Sequence, residues 1–322
     1  VSIIEKAASR IDQQRQNAAA TPAAVIVADT EEPITPDAGY VPTRPPEHAA
    51  APAAPAVTPE VAATRTESMA ETTNAASGRH STRRIELDLA RMRELGMVTA
   101  AGGRTNLLEE FRIIKRPLLK RAFTERGPKD NPGNLIMVTS SLPGEGKTYS
   151  AINLAMSIAM ELDHTVLLVD ADVARPSVLR TLGLPAQRGL MDILLDDKLD
   201  LADVMLRTNV DTLSILPAGT STPRATELLA SSTMTAMVHE LAHRYPDRVI
   251  IFDSPPLMLT SESRVLASHM GQIIVVVEAQ TTTQHAVKEA LQQLEGMANV
   301  NLLYNKTRDI PGIEETYDYH YG

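Results

Sequence analysis

There is no cysteine in these 322 residues. That excludes disulfides, iron–sulfur clusters and thiolate zinc sites, and it fits a reducing compartment. Positive charge is also in short supply. Lys and Arg number 31 against 40 Asp and Glu, for a formal net charge of −9. A general nucleic-acid binder normally shows a basic face, so no nucleic-acid partner is expected. No run of about 18 apolar residues occurs, so no membrane-spanning helix is predicted. The first residues lack a basic segment followed by an apolar stretch, so no secretory signal is expected and the predicted location is cytoplasmic.

What is present is a hydrophobic fraction of 43%, enough for one substantial α/β domain with extra segments. It is unevenly spread. Residues 1–16 carry Ile3, Ile4, Ala7, Ala8 and Ile11 at helical spacing, a thin stripe for a short helix that is marginal alone. It reads equally as a docking segment or a frayed terminus. Residues 17–81 are dominated by Ala, Pro, Thr and Glu, with prolines recurring from Pro22 to Pro59. Such a segment cannot bury enough surface to offset its ordering entropy and is predicted to be a disordered linker. Order is expected from residue 82 to 310, followed by a flexible tail over 311–322.

Within the ordered part, Ile85, Leu89, Met92 and Leu95 share a helical face. Residues 106–123 predict a second helix, capped by Asn106 with Glu109 three residues on and kinked or interrupted at Pro117. From residue 134 onward, apolar strands alternate with helices. Strands are expected at 134–139, 165–169, 212–216, 248–252, 272–277 and 301–304. Helices are expected at 151–162, 189–195, 225–245, 263–270 and 283–297. This alternation predicts a mostly parallel sheet covered on both faces, with ligands at the carboxyl ends of its strands.

Three such ends carry chemistry. After the strand at 134–139 comes Ser140-Ser-Leu-Pro-Gly-Glu-Gly-Lys-Thr148 and then a helix. Strand, glycine loop, Gly-Lys-Thr and helix form the context of a phosphate-binding loop. Loop N–H groups and the positive helix end converge on phosphate oxygens. Lys147 adds a point charge near the β- and γ-phosphates, and the Thr148 hydroxyl suits Mg²⁺. The general pattern has Gly where this chain has Ser141. The second end is Asp170-Ala-Asp172. Side chains alternate along a strand, so the two carboxylates point the same way while strand geometry lasts. Their repulsion calls for a cation. Asp253 closes a third buried strand and is a direct or outer-sphere partner for the same metal.

These residues resemble a known family. Ser141 to Thr148, Asp170-Ala-Asp-Val-Ala-Arg-Pro176 and Val249-Ile-Ile-Phe-Asp-Ser-Pro-Pro256 are similar to the Walker A, A′ and B motifs of bacterial tyrosine kinases (BY-kinases), which are built on a P-loop NTPase fold. The similarity covers about residues 83–322. Ser2-Ile-Ile-Glu-Lys6, Glu109-Glu-Phe-Arg-Ile-Ile-Lys-Arg-Pro117 and Asp172-Val-Ala-Arg-Pro176 resemble the exosortase-associated tyrosine autokinase branch, linked to exopolysaccharide production. The chain departs from many relatives at Ala174, where they carry Arg.

The resemblance implies ATP and Mg²⁺ as cofactors. It implies Pro143, Gly144, Glu145, Gly146, Lys147, Thr148 and Tyr149 around the phosphates, with Asn305 reading the adenine. Thr148, Asp172 and Asp253 would hold Mg²⁺ directly or through water. Asp170 or Asp172 would take the phenol proton, with Asp170 favoured. Glu109, Arg112 and Lys115 resemble the family's oligomerisation motif, implying a homo-oligomeric ring. A separate membrane activator of the polysaccharide co-polymerase type and a cognate tyrosine phosphatase are the implied partners, with recruitment to the inner face of the membrane.

Three of the seven tyrosines, Tyr317, Tyr319 and Tyr321, stand in the last six residues. Similar tails are autophosphorylation clusters. The expected activity is therefore ATP-dependent tyrosine phosphorylation of this tail in trans, regulating exopolysaccharide synthesis and export. Two rivals use the same motifs: an ATP switch of the chromosome-partition or division-site class, and an assembly subunit that binds ATP only to set oligomeric state. The switch class usually carries an extra Lys early in the loop, where this chain has Leu142.

Overall fold

In a computed structural model, the described residues are 83–100, 103, 105–124, 127 and 130–307. The expectations for residues 1–81, and for Tyr317, Tyr319 and Tyr321, lie outside them.

The described residues form one eight-stranded sheet with helices on both faces. Its strands are β1 (Arg83–Arg84), β2 (Leu135–Ser140), β3 (Thr165–Asp170), β4 (Leu206–Arg207), β5 (Leu213–Leu216), β6 (Arg248–Asp253), β7 (Gln272–Glu278) and β8 (Val300–Asn305). They lie in the order β1-β4-β5-β3-β6-β2-β7-β8, parallel throughout except for β4 against β5. The helices are α1 (Leu89–Glu94), α2 (Asn106–Ala122), α3 (Lys147–Ala159), α4 (Val178–Thr181), α5 (Leu190–Leu195), α6 (Leu201–Val204), α7 (Ala225–Leu229), α8 (Ser232–Arg244), α9 (Glu262–Ala267) and α10 (Gln284–Gln293).

The central strands are buried on both sides, so their alternation feeds two separate cores. Along β2, Leu135 and Met137 face the core beneath α5, α7, α8 and α9. Ile136 and Val138 face the one beneath α2 and α3. Helix α3 is buried from Ser150 to Ala159 because α2 packs over it. Among the described residues, no helix is long and apolar enough to cross a membrane.

Topology places the three motifs together. The chain leaves β2, runs through α3 and returns as β3 beyond β6, which lies between them. Asp170 at the end of β3 is in register with Asp253 at the end of β6, and Val138 of β2 pairs with the same Asp253. This crossover at the carboxyl ends is where open α/β sheets bind ligands.

Two local expectations are corrected. The cap of α2 is Thr105, whose hydroxyl accepts the Leu108 amide at 3.2 Å. Helix α2 also runs on through Pro117. Proline removes the donor to the carbonyl of Ile113, four residues back, and Ile113 is 65% exposed, so water can satisfy that carbonyl.

Lys115 is corrected more sharply. Its side chain is buried, donating to the Ser157 carbonyl at 2.6 Å and pairing with Glu161 at 2.5 Å. It clamps α2 onto the end of α3 and does not stand with Glu109 and Arg112, which pair with each other at 2.5 Å on the exposed side. Lys115→Met should lower unfolding stability by about 1–3 kcal/mol by stranding a buried acceptor. Urea denaturation measures this, and an unchanged midpoint would rule the clamp out.

Candidate active site

The loop from Ser141 to Gly146 joins β2 to α3. Gly146 caps α3 with φ +97°, and a Cβ there would meet Asn305 Nδ2 at 2.0 Å. Both constraints demand glycine. Ser141, where the general pattern has Gly, does not adopt positive φ and is fully buried. Its position therefore does not require glycine.

The loop is braced from the β7–β8 edge of the sheet. Glu145 is buried, accepting the Leu142 amide on Oε2 at 2.6 Å and the Thr282 hydroxyl on Oε1. Asn305 donates to the Glu145 carbonyl at 2.8 Å. Lys306 donates to the Gly144 carbonyl at 2.8 Å and pairs with Glu278 at the same distance. Lys306 does this from a left-handed backbone, φ +57°, a conformation non-glycine residues hold only when their surroundings impose it. Here Asn305 is seated against the loop backbone. Tyr149 likewise turns its hydroxyl to the Gly96 carbonyl at 2.5 Å, tying α3 to the segment after α1.

Beyond the loop lies a pocket of about 530 Å³. Its lining includes Pro143, Gly144, Gly146, Lys147, Thr148 and Tyr149, together with Asp172, Arg175, Arg180 and Leu259. The Lys147 ammonium sits 2.7 Å from Asp172 and 3.8 Å from Asp253. The Thr148 hydroxyl donates to Asp253 Oδ2 at 2.6 Å and lies 2.7 Å from the Ser177 hydroxyl.

Asp170 and Asp172 do not point the same way. Strand β3 ends at Asp170, so alternation does not carry to Asp172. Asp170 Oδ2 accepts the amides of Ser177 and Val178, each at 3.0 Å, at the start of α4. Asp172 turns to Lys147 and the pocket.

Burial dominates the electrostatics. It pushes the Asp253 carboxyl up to about 7; Lys147 opposes this, and neighbouring Asp170 adds to it. It pushes Asp170 up to about 6, against the pull of the Val178 and Ser177 amides. Asp170 Oδ1 and Asp253 Oδ1 are buried and accept no hydrogen bond. Buried carboxylates held this way favour a cation.

Among the described residues, no three His, Cys, Asp or Glu side chains are grouped to hold a metal alone. Mg²⁺ takes one or two carboxylates and completes its shell with substrate phosphates and water, so the residues present could hold it only together with a nucleotide. Thr148 and Asp253 are the oxygen donors placed to hold it, with Asp172 beside them.

Thr282, Glu278, Lys306, Ser177, Arg180 and Leu259 were not singled out by sequence. A strand-end Asn-Lys pair and a Thr run carry no motif, and only the closure of β8 against β7 brings them to the loop.

The AAA domain family matches residues 133–307, more than half of the chain. The tyrosine-protein kinase YwqD of Bacillus subtilis is 32% identical over 181 residues, covering 56% of this chain and 72% of YwqD. The crystal structure of the VpsO kinase domain superposes with a TM-score of 0.52 at 28% identity, over 62% of this chain and 96% of that one. The kinase domain of the Escherichia coli tyrosine kinase ETK gives a TM-score of 0.55 at 26% identity, over 66% and 81%.

Proposed function

We propose, for a chain that belongs to the bacterial tyrosine kinases of the AAA-domain P-loop class, that its acceptor is its own C-terminal tyrosine cluster, phosphorylated in trans. The observation that carries this is where the tail is rooted. Strand β8 ends on the phosphate loop through Asn305 and Lys306. The eleven residues from Thr307 to Tyr317, ten steps along the chain, reach about 35 Å when extended. The acceptors are thus tethered within range of this pocket and of a neighbour's.

Residue roles follow from the geometry. Loop amides and Lys147 bind and orient the phosphates and offset charge as it develops on the transferred group. Mg²⁺, when bound, supplies further neutralisation of the phosphate oxygens. Thr148 and Asp253 hold their oxygens together for it. Asp172 faces the pocket, whereas Asp170 is committed to the start of α4. The phenol proton is therefore assigned to Asp172, in place of the Asp170 first favoured. Asp170 orients α4 and with it Ser177.

The loop brace makes Asn305 and Lys306 positioning residues, in place of the adenine contact expected for Asn305. Lys306→Met and Thr282→Val should each raise KM for ATP about threefold to tenfold and leave kcat within about twofold, the mark of lost ground-state binding. A fall in kcat at unchanged KM would contradict this role.

The activator is proposed to be a separate membrane protein of the polysaccharide co-polymerase type, which recruits the kinase to the inner membrane face. A cognate phosphatase would reset the tail, and the regulated process is exopolysaccharide synthesis and export. Self-association into a ring would draw on the exposed Glu109–Arg112 side of α2, with Lys115 serving the fold.

A mixing experiment tests transfer. The donor is Tyr317/Tyr319/Tyr321→Phe, which has an intact pocket. The acceptor is Lys147→Met with an intact tail. Incubation with Mg·ATP and candidate activator segments, followed by phosphotyrosine mapping, should place phosphate on the acceptor's tail. Phosphate found only when pocket and tail share one chain would exclude transfer in trans. ATP hydrolysis with no phosphotyrosine on the tail would exclude the tail as substrate.

A further inference from the structure

The pocket's lining extends beyond the loop residues that would take phosphates. Besides these and Asp172 it includes Ala174, Arg175 and Arg180, and also Pro255, Pro256 and Leu259. Leu259 is 53% exposed, whereas Pro255 and Pro256 are buried and present little surface. Arg175 and Arg180 are both exposed. Among the described residues, neither guanidinium makes a hydrogen bond or an ion pair.

Their positions are nonetheless fixed. The Arg175 amide donates to the Asp172 carbonyl and to Asp172 Oδ1, both at 3.1 Å. Arg180 stands on α4, whose start is held by Asp170. Two unneutralised guanidiniums beside the proton-accepting carboxylate, in a pocket that Leu259 also lines, suit an aromatic side chain with anionic neighbours. The C-terminal tail contains such a segment, Glu314-Glu-Thr-Tyr-Asp318.

We propose that Arg175 and Arg180 form the acceptor-recognition site, selecting tyrosines flanked by acidic residues. Leu259 carries the ring, and the guanidiniums pair with Glu314, Glu315 and Asp318 of a second copy. This rests on the reading of the tail as acceptor and adds what the enzyme recognises in it. It also gives Ala174 a role, since a small side chain there leaves the wall open between Asp172 and Arg175. Once Tyr317 is phosphorylated, the same arginines hold the product more tightly than the substrate, because phosphate adds about −1.5 to −2 charge. Product release is then salt-sensitive.

The test separates binding from transfer. A labelled peptide of residues 311–322, its tyrosines replaced by phenylalanine, is titrated against the full chain. A second peptide carries Glu314→Gln, Glu315→Gln and Asp318→Asn. The acidic peptide should bind the parent about threefold to tenfold more tightly at low salt, and the preference should shrink as salt rises. Arg175→Gln/Arg180→Gln should abolish the preference while leaving Kd for Mg·ADP within about twofold. Arg180→Glu should regain peptide affinity when Glu315 is changed to Lys.

Equal binding of the two peptides by the parent would overturn the proposal. So would a double variant that loses nucleotide affinity and keeps the peptide preference, which would assign the arginines to the nucleotide. Because this readout needs no turnover, it stands apart from the mapping of phosphate on the tail. A tail that binds through the arginines but is never phosphorylated would overturn only the acceptor reading.

Discussion

Lys147→Met is expected to lower phosphotyrosine formation by on the order of a thousandfold while the chain stays folded. The ammonium is the cation between Asp172 and Asp253, 2.7 and 3.8 Å away, at 12% side-chain exposure. Low exposure strengthens its field on any phosphate brought into the loop. Arg175 and Arg180 also line the pocket, but both are exposed, so solvent and salt screen their charge more than that of Lys147.

Folding should survive because the loop's shape depends on Glu145, Thr282, Asn305 and Lys306 rather than on Lys147. Asp253, left without its cation, can bind a proton, as its burial already inclines it to do. Lys147→Arg should fail almost as completely, since a planar fork does not replace a compact ammonium wedged between two carboxylates. Phosphotyrosine immunoblots with mass spectrometry give the readout, and thermal melts confirm folding. Retention of a tenth of parental activity in Lys147→Met would remove the lysine from the chemistry.

The core of the fold was legible in sequence because its strands are buried on both faces. Strands expected at 165–169, 248–252 and 272–277 occur at Thr165–Asp170, Arg248–Asp253 and Gln272–Glu278. A continuous apolar run bounded by a charged residue leaves little choice. Arg83–Arg84 and Leu206–Arg207 were not legible. Each strand is two residues long with no period to read, and they exist because they pair with each other across more than 120 positions. The segment 225–245 read as one helix because its apolar spacing runs through the break. Ser231 ends that continuity by capping α8, its hydroxyl accepting the Met234 amide at 3.1 Å.

The site divides the same way. Lys147, Thr148, Asp172 and Asp253 could be named because a strand followed by a glycine loop or an acidic end is a local pattern. Which of Asp170 and Asp172 faces the pocket could not, because the answer depends on α4, a four-residue helix whose first amides capture Asp170. Lys115 was misplaced for a related reason. Helical spacing puts it in line with Glu109 and Arg112, but Glu161 and the Ser157 carbonyl draw it inward.

Asp253→Asn should separate function from stability, and in opposite directions. Asp253 is fully buried and its carboxyl is pushed up to about 7. The unfolded chain releases that proton near pH 4, and the folded chain holds it to about 7. Between those values the folded state binds more protons, so nucleotide-free stability falls as pH rises from about 4 to about 7 and then levels off. Asp170, raised to about 6, adds to the same slope over the lower part of the window.

Asn at 253 keeps an acceptor for the Thr148 hydroxyl and removes the ionisation. Its stability should therefore be flatter across that window and exceed the parent's at pH 8 by on the order of 1–3 kcal/mol, with little difference at pH 4. Mg²⁺ with nucleotide should reverse the ranking, because a cation beside the carboxylate makes its ionised form the favoured one and ligand binding stabilises the state that binds it. The parent should then melt higher at pH 8, and the variant should gain little and form almost no phosphotyrosine. Melts at pH 5 and pH 8, with and without Mg²⁺ and a non-hydrolysable ATP analogue, check both halves. A parent whose stability is flat from pH 4 to 7 would discard the buried-charge account. A variant that gains as much as the parent from Mg²⁺ and nucleotide would remove Asp253 from the metal site, leaving Thr148 and Asp172 to hold the ion.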